Sequence, residues 1–185
     1  MPHDVGRRIA IYGNSGSGKS TLGRALGECL GLPYIEMDEI FHYRPNWEDR
    51  TVEDFRAQVR ARLDASPGVW ICDGNYGAVR DLILPEADTA IWLSLPFYVV
   101  YWRLASRTIA RSFRGAPLWN GNRESLRRTF LSKDSMLLWG ITSWRRTRRR
   151  TAEALASTPH GVKVIVLRSP REVSALLRAT EGRAP

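Results

Sequence analysis

"RIAIYGNSGSGKST", residues 8–21, decides the fold. Ile9, Ile11 and Tyr12 make 8–12 a short β-rich run, and Leu22, Ala25, Leu26, Cys29 and Leu30 then recur at helical spacing until Gly31. Between them, residues 13–20 fit the spacing G-x-x-x-x-G-K-[ST] at Gly13, Gly18, Lys19 and Ser20. Strand, glycine loop and helix in that order form a cradle for phosphate. Gly13, Gly16 and Gly18 allow backbone angles that turn successive N–H groups inward, with no Cβ in the way. The helix starting at Lys19 adds the positive end of its dipole. Lys19 reaches the β- and γ-phosphates, the Ser20 hydroxyl suits Mg²⁺, and Asn14, Ser15, Ser17 and Thr21 complete the contact set. The octet therefore predicts binding of a nucleoside triphosphate, ATP, with Mg²⁺.

Four further apolar runs follow. "PYIEM" (33–37), "GVWIC" (68–72), "TAIWLSL" (89–95) and "VKVIVL" (162–167) read as strands, separated by helical patterns. Thr51 to Asp54 caps a helix with Phe55, Val59 and Leu63 on one stripe, and "SPRE" (169–172) caps the last one. Continuously apolar strands alternating with helices imply an α/β fold with a parallel sheet covered on both faces. No repeat or long linker interrupts the chain, so residues 1–185 read as one domain with a helical insertion at about 103–150.

With 43% apolar and 25% charged residues, disorder is excluded. Cys29 and Cys72 fall in buried patterns, as small hydrophobes in a reducing cytoplasm do. The apolar stretch "AIWLSLPFYVVYW" is too short to span a bilayer, and the N-terminus lacks the apolar core of a signal peptide. No membrane association is expected. The net charge of +9 is unevenly placed: residues 101–150 hold thirteen basic side chains against Glu124 and Asp134, a local +11, and the remainder is slightly acidic. That segment should face something anionic.

A magnesium site in a phosphate loop takes a carboxylate from the end of a neighbouring strand. Strand 89–95 offers only Ser94 there. Strand 68–72 is followed by Asp73, which either ligates Mg²⁺ or merely opens a turn.

Together, the glycine loop, "DGNY" (73–76), the arginine-rich segment and "RSPREV" (168–173) resemble the small P-loop kinases of the adenylate kinase group. "IWLSLP" (91–96), "GNRE" (121–124) and the aromatic-rich residues 136–144 resemble more closely the FlaR-related DNA topology modulation proteins. The resemblance implies a three-layer fold with strand order 2-3-1-4-5, an arginine-rich lid, and ATP-dependent phosphoryl transfer to a small-molecule acceptor. In that frame Asp73 resembles a Mg²⁺-associated aspartate. The Pro-Arg of the kinase motif is missing, and Arg80 is the nearest replacement on the acceptor side. "EMDEIF" (36–41) resembles the acidic turn of shikimate-type kinases, with Asp38 positioning a hydroxyl acceptor or, alternatively, capping a helix. Arg168 or Arg171 would lie beside the adenine.

Arg103, Arg107, Arg111 and Arg114 share one helical stripe, and like charges at that spacing need a counter-charge. The candidates are acidic side chains elsewhere in the fold, nucleotide phosphates and a nucleic acid backbone. A lid of guanidinium groups over the transferred phosphoryl group is the reading carried forward, with Arg123, Arg127 and Arg128 extending it. "RRTRRR" (145–150) reads as a solvated helix end, and Leu137, Ile141 and Trp144 as a buried helix stripe. Two other functions compete with the kinase: a nucleic-acid-associated ATPase or DNA topology modulator using ATP as a switch, and a nucleotide-binding protein with weak catalysis.

Overall fold

The computed structural model describes residues 5–43, 49–66, 68–114, 136–158 and 160–182, with backbone alone at 111–114 and 136–140. Five strands, β1 (Arg8–Gly13), β2 (Tyr34–Glu36), β3 (Trp70–Asp73), β4 (Thr89–Leu93) and β5 (Lys163–Leu167), form one parallel sheet in the order β2-β3-β1-β4-β5. The helices are α1 (Lys19–Leu30), α2 (Met37–Phe41), α3 (Val52–Asp64), α4 (Arg80–Ile83), α5 (Phe97–Arg114), α6 (Met136–Ala156) and α7 (Pro170–Glu181).

Alternation along the strands sends side chains into two cores. Ile9, Ile11, Ile91 and Leu93 pack with Leu22 and Leu26 of α1 and Leu176 of α7. Ala10, Tyr12, Cys72 and Ala90 face the other way, onto Phe55, Val59 and Leu63 of α3 and Ile83 of α4. Helices cover both faces, which explains why the strands are continuously apolar. Leu26 has no exposed surface, so Leu26→Ala would cost about 2–5 kcal/mol.

Both capping patterns form. The Thr51 hydroxyl accepts from the Asp54 N–H at 3.2 Å, and the Ser169 hydroxyl accepts from the Glu172 N–H at 3.2 Å. Glu172 in turn accepts from the N–H of Arg168, the residue before the cap, at 2.8 Å, and the Ser169 cap is worth about 1 kcal/mol.

Three details differ from the sequence expectation. Met37 opens α2 instead of ending β2. β4 stops at Leu93, where the Ser94 N–H turns to the Leu167 carbonyl at 2.8 Å. The stripe proposed for α6 is not its buried face: Ile141 is 49% exposed, and Trp144 is half-buried edge-on to Phe97. Leu137 lies outside the described side chains. Among the described side chains of α6, the buried positions are Ser143, Thr151 and Leu155, one turn or two apart. Two of these three are small polar residues, so this part of the helix carries little apolar signature.

Candidate active site

The octet leaves β1 at Gly13 and enters α1 at Lys19, with Gly16 at φ 86° and Gly18 at φ 97°. Both lie in the left-handed region, where a side chain is strained. At Gly16 space also forbids one: a Cβ would lie 2.6 Å from the Val100 carbonyl oxygen and 2.9 Å from Leu104 Cβ. The loop thus rests directly on the backbone of α5. Gly18 caps α1 without a side chain, leaving the first-turn N–H groups open to an anion.

The turn after β3, "DGNY", touches this loop and the helix beyond it. Asp73 is 3% exposed and accepts from the Ser20 hydroxyl at 2.9 Å. Burial pushes its carboxyl up to about 6, and the acids Asp38 and Glu36 add to the rise, against the charge of Lys19 and the Ser20 hydrogen bond. Asn75 holds Gly13 with both atoms of its amide. Tyr76 donates to Asp38 Oδ1 at 2.7 Å, inside an aromatic cluster with Phe41 and Phe55. Burial, then the Asp38 carboxylate, pushes the phenol far above its ordinary value, so it stays a donor. Asp38 lies within the first turn of α2, whose cap is Glu36, so it does not cap that helix.

A pocket of about 640 Å³ opens between these elements, lined by Ser15, Lys19, Asp38, Asn75, Tyr76, Arg80, Arg146 and Arg150, among others. It unites three residues expected at the reaction centre: Lys19, Asp38 and Arg80. The Nε of Arg80 is buried with no hydrogen-bond partner, and its guanidinium lies 6.0 Å from the Tyr12 ring centroid.

The run "RRTRRR" is solvated as expected, with Arg145, Arg146, Arg149 and Arg150 exposed, but it lies inside α6 and not at its end, and two of its arginines also reach the pocket. Arg146 and Arg150, four residues apart and so on one helix face, line the pocket. Arg148 lies over the rings of Trp92 and Trp144, at 5.7 and 5.9 Å from their centroids. Arg149 pairs with Glu153 on the exposed side. Thr147 and Thr151, next in sequence to Arg146 and Arg150, line the same cavity, so this face of α6 forms one wall of it.

On α5, an Arg103 guanidinium N–H donates to the Ser17 carbonyl at 3.4 Å, and one of Arg107 donates to the Ser15 hydroxyl at 3.5 Å. Both reach the loop from a helix packed on it. Asn14 is buried and donates to the Trp144 carbonyl at 3.4 Å, tying the loop to α6. Thr21 and Arg171 are exposed in the first turns of α1 and α7. The side chains of Arg111 and Arg114, and Arg123, Arg127 and Arg128 entirely, lie outside the described residues. Sequence reading missed Asn75, Tyr76, Arg146 and Arg150 as site residues. Only the arginine pair left a signal, its i, i+4 spacing.

A parallel 2-3-1-4-5 sheet with a phosphate loop leaving its central strand is the P-loop kinase fold. The family model for shikimate kinase matches residues 15–61, from the middle of the loop through Asp38 into α3. A shikimate kinase of Paramagnetospirillum magneticum is 29% identical over 123 residues, 60% of this chain and 60% of that protein. The chain thus spans about three fifths of that relative's length. Among solved structures, a shikimate kinase from Acinetobacter baumannii in complex with shikimate is similar with a TM-score of 0.57. It is 13% identical, over 98% of this chain and 94% of its own. A gluconokinase from Sinorhizobium meliloti gives a TM-score of 0.51 at 19% identity, over 96% of this chain and 92% of its own. At those identities the structural likeness establishes the fold alone.

Proposed function

We propose that this protein is an ATP- and Mg²⁺-dependent kinase that phosphorylates a hydroxyl group of a small acidic molecule. One observation carries the reading: a single pocket joins Lys19 of the phosphate loop to Asp38 and to three arginines, Arg80, Arg146 and Arg150.

The loop N–H groups and Lys19 hold the β- and γ-phosphates of ATP, and Arg103 and Arg107, already against the loop, neutralise charge there. The Ser20 hydroxyl and Asp73 carboxylate, 2.9 Å apart beside the cradle, are the hard oxygen donors Mg²⁺ requires. When bound, Mg²⁺ would neutralise charge on the transferring phosphoryl group. Asp38, held by Tyr76 through one oxygen, keeps the other for the acceptor hydroxyl, which it orients and whose proton it accepts. Arg80, Arg146 and Arg150 bind the acceptor's acidic group. Shikimate, held by the solved neighbour, therefore belongs among the acceptors to be tried.

Catalysis consuming ATP, with Cys29 and Cys72 both unpaired, suits the cytoplasm. Among the described residues no helix is long and apolar enough to cross a membrane. The resemblance to DNA topology modulation proteins rests on the quoted motifs alone. Of the described arginines in the basic segment, Arg103 and Arg107 touch the loop, Arg146 and Arg150 line the pocket and Arg148 lies over the Trp92 ring, which supports the kinase reading of that charge.

The test is ADP formation by the purified protein with and without hydroxylated acids, nucleosides and nucleotides. The reading predicts stimulation by at least one hydroxylated acid. Stimulation by no hydroxylated acid overturns it.

A further inference from the structure

The turn after β3 grips the phosphate loop at its first residue. Asn75 Oδ1 accepts from the Gly13 N–H at 3.1 Å, and Asn75 Nδ2 donates to the Gly13 carbonyl. These two backbone groups belong to different peptide planes. The N–H lies in the plane shared with Tyr12, and the carbonyl lies in the plane shared with Asn14. One side-chain amide therefore fixes both planes that flank the glycine. The β1–β3 ladder brings the partners together: Ile11 pairs with Asp73, and the Gly74 N–H then donates to the Ile11 carbonyl at 3.2 Å. That delivers Asn75 opposite Gly13.

A glycine needs such a restraint because its lack of a Cβ lets an adjoining peptide plane turn over at small steric cost. Turnover of the 13–14 plane would exchange the directions of its carbonyl and of the Asn14 N–H. A cradle for phosphate works by presenting N–H groups, and an inverted plane would present an oxygen that repels the anion. In a trans peptide the Asn14 N–H points opposite to the Gly13 carbonyl. Binding that carbonyl to Asn75 thus directs the Asn14 N–H away from Asn75. A side-chain amide serves because it carries a donor and an acceptor on two separate atoms of one rigid plane; a carboxylate would set a negative oxygen against the Gly13 carbonyl. Ser20, at the far end of the octet, is held by Asp73, two residues before Asn75. The same short turn secures the first and last residues of the loop.

We propose that Asn75 is a positioning residue for the phosphate donor, preforming the loop by locking both peptide planes of Gly13. This rests on the nucleotide-binding half of the function proposed above, and not on the identity of the acceptor.

The experiment is titration of wild type, Asn75→Ala and Asn75→Leu with Mg-ADP, without acceptor. It is run at a temperature where melting curves show each protein fully folded. Leu keeps the branched skeleton of Asn, at greater volume, and removes both hydrogen bonds, so the pair of variants separates loss of the clamp from loss of bulk. A purely structural role would lower the melting temperature and leave the affinity of the folded protein intact. The clamp predicts that both variants bind Mg-ADP about tenfold more weakly, the loss of two neutral hydrogen bonds in a preformed site. Wild-type binding with both variants within twofold of it overturns the clamp and leaves the nucleotide reading standing. No binding by wild type overturns that reading, and the clamp with it.

Discussion

The phosphate loop and the far end of the same pocket are made of different material. The loop presents backbone N–H groups, supported from below by α5 at Gly16 and held from the side at Gly13 and Ser20. The far end presents side chains from three elements that meet only in the folded chain: Asp38 of α2, Arg80 of α4, and Arg146 and Arg150 of α6. Backbone suits a ligand part that never varies, such as a polyphosphate, and its spacing can be fixed by glycines. Side chains suit the part that must be told apart from other molecules, since each can change without disturbing the fold.

Substitutions at the two ends should therefore fail in different ways. Lys19→Ala removes the charge proposed to face the γ-phosphate and should lower turnover by about 10²–10³-fold with an unchanged melting curve, measured as ADP formation. Asp38→Asn should lower kcat by about a hundredfold, as loss of a general base does, while Mg-ADP affinity stays at the wild-type value. If nucleotide affinity fell instead, Asp38 would belong to the donor end. Arg146→Ala combined with Arg150→Ala should raise the acceptor KM by at least about tenfold, the loss of charge-assisted hydrogen bonds, with the KM for ATP unmoved. Tyr76→Phe keeps the ring among Phe41 and Phe55 and removes one hydrogen bond to Asp38. The expected result is about a fivefold fall in kcat, within the range for one such bond, with KM values preserved.

The same contrast decides how much could be read in advance. The donor end is a run of eight consecutive residues whose spacing carries its mechanism, so Gly13 to Ser20 and the flanking β1 and α1 were legible from the sequence alone. The strand order followed from family resemblance, and Asp73 from the need for a carboxylate at a strand end. Asp38 had two readings, and the capping one falls only once the structure shows Glu36 as the cap of α2. Asn75 looks like an ordinary turn residue, because its partner is backbone 62 residues away, and sequence pattern does not record such pairs. Arg146 and Arg150 were hidden among equivalent arginines, since the buried seam of α6 runs through Ser143, Thr151 and Leu155 instead of an apolar stripe. Charge runs show that an anion is near, but which members face it depends on how the helix is rotated.

The central claim is that one pocket holds the donor and the acceptor together, and the destination of the phosphoryl group tests it. ATP labelled in its γ-phosphate, incubated with the protein and a panel of hydroxylated acids, should yield label on an acceptor hydroxyl, and that product should vanish in Asp38→Asn. Label recovered only as inorganic phosphate, at the same rate with every acceptor and in both proteins, would contradict it.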